Sequence, residues 1–410
     1  MLYIKEKNMS KELRIGVIGA SGRGSIANYT HKPADGSRLV AAADPYPESK
    51  ERFIKNFSEK FPGDPIPAIY DDYREMIEKE SLDGVIIATP DFLHEEQAIF
   101  ALEHKVAVYL EKPIALTIAG CDRILETAYR SRTKLIVGHN MRYMKFTRRM
   151  KEIIDSGIIG EVKTVWCRHF ISYGGDAYFR DWHADSAKSN SLLLQKGAHD
   201  IDIIHWLAGG VTNRVSGIGN LSVYDKLPRR DMNDKRLKGG IATVWDSANW
   251  PPEKQSGYYP IMDVNDLNMI NMTLTNGVLA CYLQCHYTPD NSRNYTVIGT
   301  RGRIENYGTE TIQVWTTRQD APWRLEGDIT YREPHKHDAH GGADPLILKS
   351  FTDALKGEYD VWSTAQMARH SVACGCQGAD SIRQNGIPLD VPPLPEYLEN
   401  WDFTKAEEKK

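Results

Sequence analysis

Five short apolar runs recur between residues 13 and 138, at 13–19, 39–44, 85–89, 106–110 and 135–138. They constrain the fold more than any other feature of the chain. Continuous apolar runs of this length, without polar alternation, are the mark of strands buried on both faces. Helix-length segments separate them, at 48–60, 72–80, 92–104 and 118–130. Strand alternating with helix at this spacing predicts a parallel sheet covered on both sides by helices.

The first run leads into Gly16-Val17-Ile18-Gly19-Ala20-Ser21-Gly22-Arg23-Gly24. A turn from strand to helix that cradles a pyrophosphate needs glycine for a tight bend and for close approach of the backbone. The following helix start supplies N–H groups and a positive dipole to the phosphates. In the G-x-G-x-x-G template Gly19 and Gly24 take the first and third places and Ser21 takes the second, with Gly22 adding freedom. The second run ends at Asp44, 20 residues after Gly24, where a carboxylate suits the adenosine ribose hydroxyls. That carboxylate would repel a 2′-phosphate, which favours NAD. Arg23 keeps NADP open, because a guanidinium can hold a phosphate.

After residue 139 the pattern changes. Segments 145–156 and 191–207 read as helices. Segments near 161–171, 213–224, 267–275, 278–288, 294–299 and 311–316 read as strands, with Thr275-Asn276-Gly277 as a tight turn. Successive hairpin strands predict an α+β second domain with a large, mainly antiparallel sheet. Residues 225–260 read as a long loop over the site or at a subunit contact. Residues 346–355 and 365–384 read as late helices. The expected organisation is an extension at 1–12, a dinucleotide-binding domain at 13–138, a substrate and oligomerisation domain at 139–385, and a tail at 386–410 that is partly disordered.

Composition narrows the class. Of the 410 residues, 51 are Lys or Arg and 55 are Asp or Glu, for a net charge of −4. A strongly basic nucleic-acid binder is excluded. No run approaches the ~18 apolar residues of a membrane span, and the charged first residues do not form a secretory signal. The six cysteines make no disulfide framework and fit small buried residues of a cytoplasmic protein.

The run 106–110 ends in Glu111-Lys112-Pro113. Ligands of open α/β sheets bind beyond the carboxyl ends of the strands, so Lys112 belongs at the crevice. A lysine there can orient a substrate oxygen, or accept a proton once burial lowers its pKa. Together with the glycine loop, Ala88-Thr89-Pro90-Asp91-Phe92-Leu93-His94, Val137-Gly138-His139-Asn140-Met141-Arg142-Tyr143, Trp182, and His199, Asp202 and Trp206, this triplet resembles the Gfo/Idh/MocA oxidoreductases. The resemblance spans most of the chain, least surely residues 225–260 and the termini. It implies a Rossmann domain followed by an α/β domain on an open antiparallel sheet. It implies hydride transfer between NAD(P) and a secondary alcohol or ketone of a sugar, glycoside or cyclitol. It further implies that Thr89, Pro90, His94, Glu111 and Asn140 line the cofactor beside Lys112, that Lys112 and His199 are catalytic, and that the protein is a homo-oligomer, a dimer or tetramer, built through its sheet.

Around the substrate the expected residues are Arg142, Trp182, Gln195, Lys196, Asp202 and His340. In 191–207, Gln195, His199, Asp202 and Trp206 share one helical face. Relatives carry an aspartate four residues before the histidine, and Gln195 departs from that pattern. Glutamine can hydrogen-bond but cannot neutralise a charged imidazole. Lys196 would lower the pKa of Lys112 if the two lie close. His199 read alone fits a hydrogen-bonded core histidine better than a catalytic one, and the joint pattern reverses that preference. His335, His337 and His340 precede Gly341-Gly342-Ala343-Asp344-Pro345, where Asp344 fits an N-cap and Pro345 a first helical position. Contact of His340 or His337 with substrate hydroxyls is favoured there over a metal site. Two rivals to simple dehydrogenation stay open: a redox-neutral elimination or epimerisation through a transient ketone, and a non-enzymatic dinucleotide-binding sensor.

Overall fold

The structure, a computed structural model, describes residues 11–234, 246–320, 324–334, 340–358 and 361–405. Its first sheet holds β1 (Leu13–Ile18), β2 (Ser37–Ala43), β3 (Ala68–Tyr70), β4 (Gly84–Ile87), β5 (Ala107–Leu110) and β6 (Leu135–Val137). All pairings are parallel, in the order β3-β2-β1-β4-β5-β6. Helices α1 (Pro47–Lys60), α2 (Tyr73–Lys79), α3 (His94–Glu103) and α4 (Ile118–Ser131) alternate with the strands. Every residue of β4 and β5 is buried, as the unbroken apolar runs require. β3 escaped the sequence reading because it is a three-residue edge strand with no buried position. The segment after the glycine loop, Gly22–Thr30, is a 3-10 helix rather than the expected α-helix.

The second part begins with α5 (Lys145–Asp155), β7 (Val162–Phe170), α6 (Gly174–Tyr178), α7 (Ser186–Ser189), α8 (Leu192–Gln195) and α9 (Gly197–Ala208). Then come β8 (Thr212–Asn220), β9 (Leu267–Leu274), β10 (Leu279–Cys285), β11 (Ser292–Gly299), β12 (Gly302–Tyr307), β13 (Thr311–Trp315) and β14 (Ile329–Arg332). Helices α10 (Ala343–Leu355) and α11 (Ala365–Arg383), strand β15 (Leu389–Asp390) and α12 (Glu396–Glu399) complete the chain. The sheet runs β14-β13-β12-β11-β7-β10-β9-β8-β15. It is antiparallel except where β7 and β10 pair in parallel. The Thr275-Asn276-Gly277 turn joins β9 to β10, with Gly277 at φ +81°. Strands β12, β14 and β15 went unread because each is short or half-polar.

One face of this sheet packs on α9 and α11. The other exposes Trp166, Ile218, Met269, Leu279 and Ile298. The late helices return to the first sheet. Phe351 of α10 meets Tyr109 of β5 edge-on at 5.9 Å, and Arg369 of α11 pairs with Asp122 of α4 at 2.8 Å. The expected disorder of the tail does not extend to Phe403, which is 2% exposed and accepts a hydrogen bond from the Leu135 amide through its carbonyl. Within 225–260, residues 235–245 lie outside the described residues. In its described part Asn249 donates to Asp176 of α6 at 2.6 Å, and Tyr258 meets Tyr224 edge-on at 5.4 Å. No helix among the described residues is long and apolar enough to cross a membrane.

Candidate active site

The glycine loop has the close-approach geometry that its sequence promised. Gly19 sits at φ +86°, and a Cβ there would stand 2.9 Å from the Ala88 carbonyl oxygen. A Cβ on Gly24 would fall 1.7 Å from the Gly19 carbonyl oxygen, so only glycine closes the turn. Ser21 is extended, with its hydroxyl 3.0 Å from that of Ser49. Gly22 has φ +57° and open space where a Cβ would point. Asp44 ends β2 under this loop, its carboxylate accepting from the amides of Ala20 and Tyr46, each at 3.0 Å. Burial pushes its pKa up against those two bonds. Each oxygen keeps a second lone pair for a ribose hydroxyl.

Arg23 does not sit beside Asp44 as a phosphate ligand would. Its Nε donates to Glu111 at 2.8 Å, and its terminal nitrogens donate to Asp344 of α10 at 2.6 and 2.9 Å. Asn140 also donates to Asp344, at 2.9 Å, while its Oδ1 is buried without a partner. His340 lies 2.8 Å from Asp344 and 3.3 Å from Arg23. Arg23 is thus paired with two carboxylates, Glu111 and Asp344. Two expectations are corrected. His340 belongs to the glycine-loop cluster rather than to a substrate pocket. Asp344 lies in the first turn of α10, behind Gly342 as the cap, and bridges the two parts of the chain. His335 and His337 lie outside the described residues.

His94 is fully buried, its ring nitrogens 2.7 Å from the Pro113 carbonyl and 3.0 Å from the Thr89 carbonyl. With a carbonyl at each nitrogen it ties those two loops together. Thr89 donates to Gln97 at 2.6 Å, and Pro90 precedes the 3-10 turn Asp91–Leu93.

Beyond β5, Glu111 accepts from Arg23 and from the Tyr109 hydroxyl. Lys112 reaches across to the second part of the chain and donates to the Gln195 carbonyl at 3.0 Å. Burial lowers its pKa. The Asp91 carboxylate works the other way and Lys196 reinforces the fall, bringing it to about 8. Burial raises Asp91, also to about 8, against the pull of Lys112 and a hydrogen bond from Gln195. Asp91 Oδ2 and Gln195 Oε1 are buried with no hydrogen-bond partner. A carboxylate thus stands beside Lys112 and Gln195, brought by the loop after β4. It went unread because Asp91 looks, in sequence, like a cap for the turn that follows.

The expected single helix over 191–207 is two, with Lys196 between α8 and α9. His199, in the first turn of α9, has an unpartnered Nδ1. Burial, then Lys112, His139 and Lys196, hold its pKa far below the usual histidine value, so the ring is neutral. The His139 ring lies 6.0 Å from it. Behind His139, Asp202 accepts from Arg142 Nε and one terminal nitrogen at 2.8 and 2.7 Å, and the third nitrogen donates to the Trp362 carbonyl. Arg142 and Asp202 are 5% and 1% exposed. They hold each other, and Asp202 Oδ2 also lies 3.2 Å from His139 Nδ1. Asp200, one residue after His199, is unexposed and accepts from Tyr282 and Tyr295 at 2.8 and 2.5 Å. His169 and Arg293 lie 2.8 and 2.7 Å from it. Burial would raise its pKa, but Arg293 and His169 hold it well below the usual carboxylate range. Three neighbouring strands thereby fix the start of α9. At the mouth, Trp182 stacks on His183 at 3.8 Å and meets the exposed Phe92 edge-on at 5.8 Å.

Two family models match this chain. Residues 13–139 fit the Gfo/Idh/MocA oxidoreductase family's NAD-binding Rossmann fold, and residues 151–391 fit the same family's C-terminal α/β domain. The chain belongs to the Gfo/Idh/MocA oxidoreductase family. Among its relatives, YteT of Bacillus subtilis (strain 168) is 25% identical over 389 residues, covering 83% of this chain and 86% of that protein. The inositol 2-dehydrogenase/D-chiro-inositol 3-dehydrogenase of Halalkalibacterium halodurans is 31% identical over 237 residues, 56% of this chain and 63% of that protein. A levoglucosan dehydrogenase solved with NADH and L-sorbose shares the fold at a TM-score of 0.74 and 19% identity, over 93% of this chain and 99% of that one.

As a Gfo/Idh/MocA protein, the chain carries an NAD-binding Rossmann domain whose loop leaves room for a backbone approach that a Cβ would fill. Lys112, its pKa lowered to about 8, is one of the charges that keep His199 neutral, and the His199 Nδ1 is buried without a partner.

Proposed function

We propose that the protein is an NAD-dependent dehydrogenase of a secondary alcohol on a sugar or cyclitol, with Lys112 as the acid/base. The observation that carries this reading is the placement of Lys112, with a pKa lowered to about 8, against the Gln195 carbonyl and near enough to His199 to help keep that ring neutral. NAD would be held by the amides of the glycine loop, by Asp44 at the ribose and by Glu111 and Asn140 further along. Bound there, it accepts the hydride. Lys112 in its neutral form takes the hydroxyl proton as the C–H bond breaks, and His199 fixes the same oxygen by a hydrogen bond. Asp91 sets the charge state of Lys112, Gln195 positions both, and Trp182 offers a face to the ring. The names of the inositol and levoglucosan dehydrogenases support a polyhydroxylated substrate.

The test is a panel of pyranosides and inositols with NAD or NADP, following reduced nicotinamide and product mass together. NADH formed in step with a keto-sugar supports the reading. No reduced nicotinamide and no product from any member, under conditions where NAD binds, would remove it. A second reading has support from Gln195, which cannot neutralise a charged histidine: product that appears without NADH would mark a redox-neutral route. The apolar sheet face around Trp166, Met269, Leu279 and Ile298 supports assembly of identical copies, which sedimentation would read directly.

A further inference from the structure

We propose that the substrate of this enzyme is a sugar acid, whose carboxylate is seated by Lys196 and the Tyr173 hydroxyl. The inference rests on the dehydrogenase reading above and adds the charge of the substrate. It comes from comparing the cations that surround the site. Arg142 has Asp202, Arg293 has Asp200, and Arg23 has Glu111 and Asp344. Lys112 has Asp91 as the acid acting most strongly on it. Lys196 is different. Among the described residues no carboxylate lies within 4.0 Å of it. Its partners are neutral: the Tyr173 hydroxyl at 3.2 Å, and the rings of Tyr173 and Tyr178 with centroids at 5.6 and 5.8 Å.

Burial opposes the Lys196 charge, and Tyr173 and Tyr178 offset it and keep the lysine pKa up; a carboxylate would add the full countercharge that phenols lack. Lys196, Tyr173, Arg293, His183 and Lys112 are all half-buried, and the Lys196 charge is felt by Lys112, His183 and His199. His183 and His199, whose neutral state is favoured by burial and by Lys112 and Lys196, each keep a buried Nδ1 without a partner. Neutral imidazoles suit hydroxyls, and one ammonium with phenols but no carboxylate beside it suits a single negative charge. A phosphate dianion would leave surplus charge, so the class assigned is a carboxylate on a polyhydroxylated ring.

The experiment uses the full chain with NAD and matched substrates: D-glucose, D-glucuronate and glucose 6-phosphate, and the same set from galactose. Initial rates give the ratio of kcat/KM for acid over neutral sugar. Thermal shifts of the NADH complex with each compound report binding independently of turnover. The expected result is a ratio favouring the hexuronates that falls roughly 10- to 100-fold in Lys196→Gln, and less in Tyr173→Phe. Neutral sugars turned over as well as acids would overturn the charge inference and leave the dehydrogenase reading intact. Hexuronates that shift the NADH complex without turnover would support the seat while sinking that reading. Preference for the phosphates would overturn the carboxylate assignment. An ultraviolet titration showing Tyr173 already ionised at neutral pH, lost in Tyr173→Phe, would mean that the protein supplies its own anion, and would also overturn it.

Discussion

The Lys112 ammonium donates to the main-chain carbonyl of Gln195 at 3.0 Å, across the cleft between the two parts of the chain. One end of this contact is fixed by β5 and the other by α8, so it registers whether the two halves are in working position.

Removing that ammonium should stop chemistry without emptying the cofactor site. Lys112→Ala is expected to lose roughly 10²- to 10⁴-fold in kcat, the usual range for a positioned acid/base. NADH binding, read by fluorescence, should stay close to the parent's. Full turnover in the variant would sink the assignment.

The pH profile carries a sign. Alcohol oxidation needs Lys112 neutral, so the rate should rise with pH through about 8. Asp91 holds the lysine pKa up, so Asp91→Asn should move that limb to lower pH. The limb belongs to the coupled pair rather than to one residue. An unmoved limb would exclude Asp91 from it.

Two neighbouring glycines should behave differently. Gly24→Ala drives a Cβ to 1.7 Å from the Gly19 carbonyl oxygen and should abolish NADH binding. Gly22→Ala meets open space at φ +57° and should cost only about 1–2 kcal/mol of backbone strain. Isothermal titration on both separates loop closure from general loss of glycine.

Cofactor choice should turn on Asp44. Asp44→Ser removes the charge that would face a 2′-phosphate and is expected to weaken NAD binding while raising relative use of NADP. Steady-state ratios for the two cofactors decide it. An unchanged ratio would show that discrimination lies elsewhere.

Arg142→Ala leaves Asp202 buried without its guanidinium and should destabilise by about 3–5 kcal/mol. Burial would raise the Asp202 pKa, but Arg142 and His139 outweigh it and hold it below its ordinary value. The folded form therefore binds this proton less readily than the unfolded one. The pair's contribution is present above pH about 4 and fades as pH falls below it. Melting temperatures of parent and variant should therefore converge in acid.

The local sequence by itself determined the first sheet and its glycine turn. Apolar runs of four to seven residues between helix-length segments read as strands buried on both faces, and Gly19 and Gly24 answer a steric demand set within a few residues of chain. Lys112 was legible for the same reason, since a strand end fixes where the next side chain must lie. Only the tertiary structure decided who partners whom. Asp91 joins Lys112, Arg23 joins Asp344, and Arg142 joins Asp202, over separations that no periodicity encodes. Lys196 is left among phenols because the acids on α9 face elsewhere. The division has a physical cause. Backbone geometry and burial pattern are short-range, whereas the matching of charges in a buried cleft is settled only when distant elements pack and water is excluded.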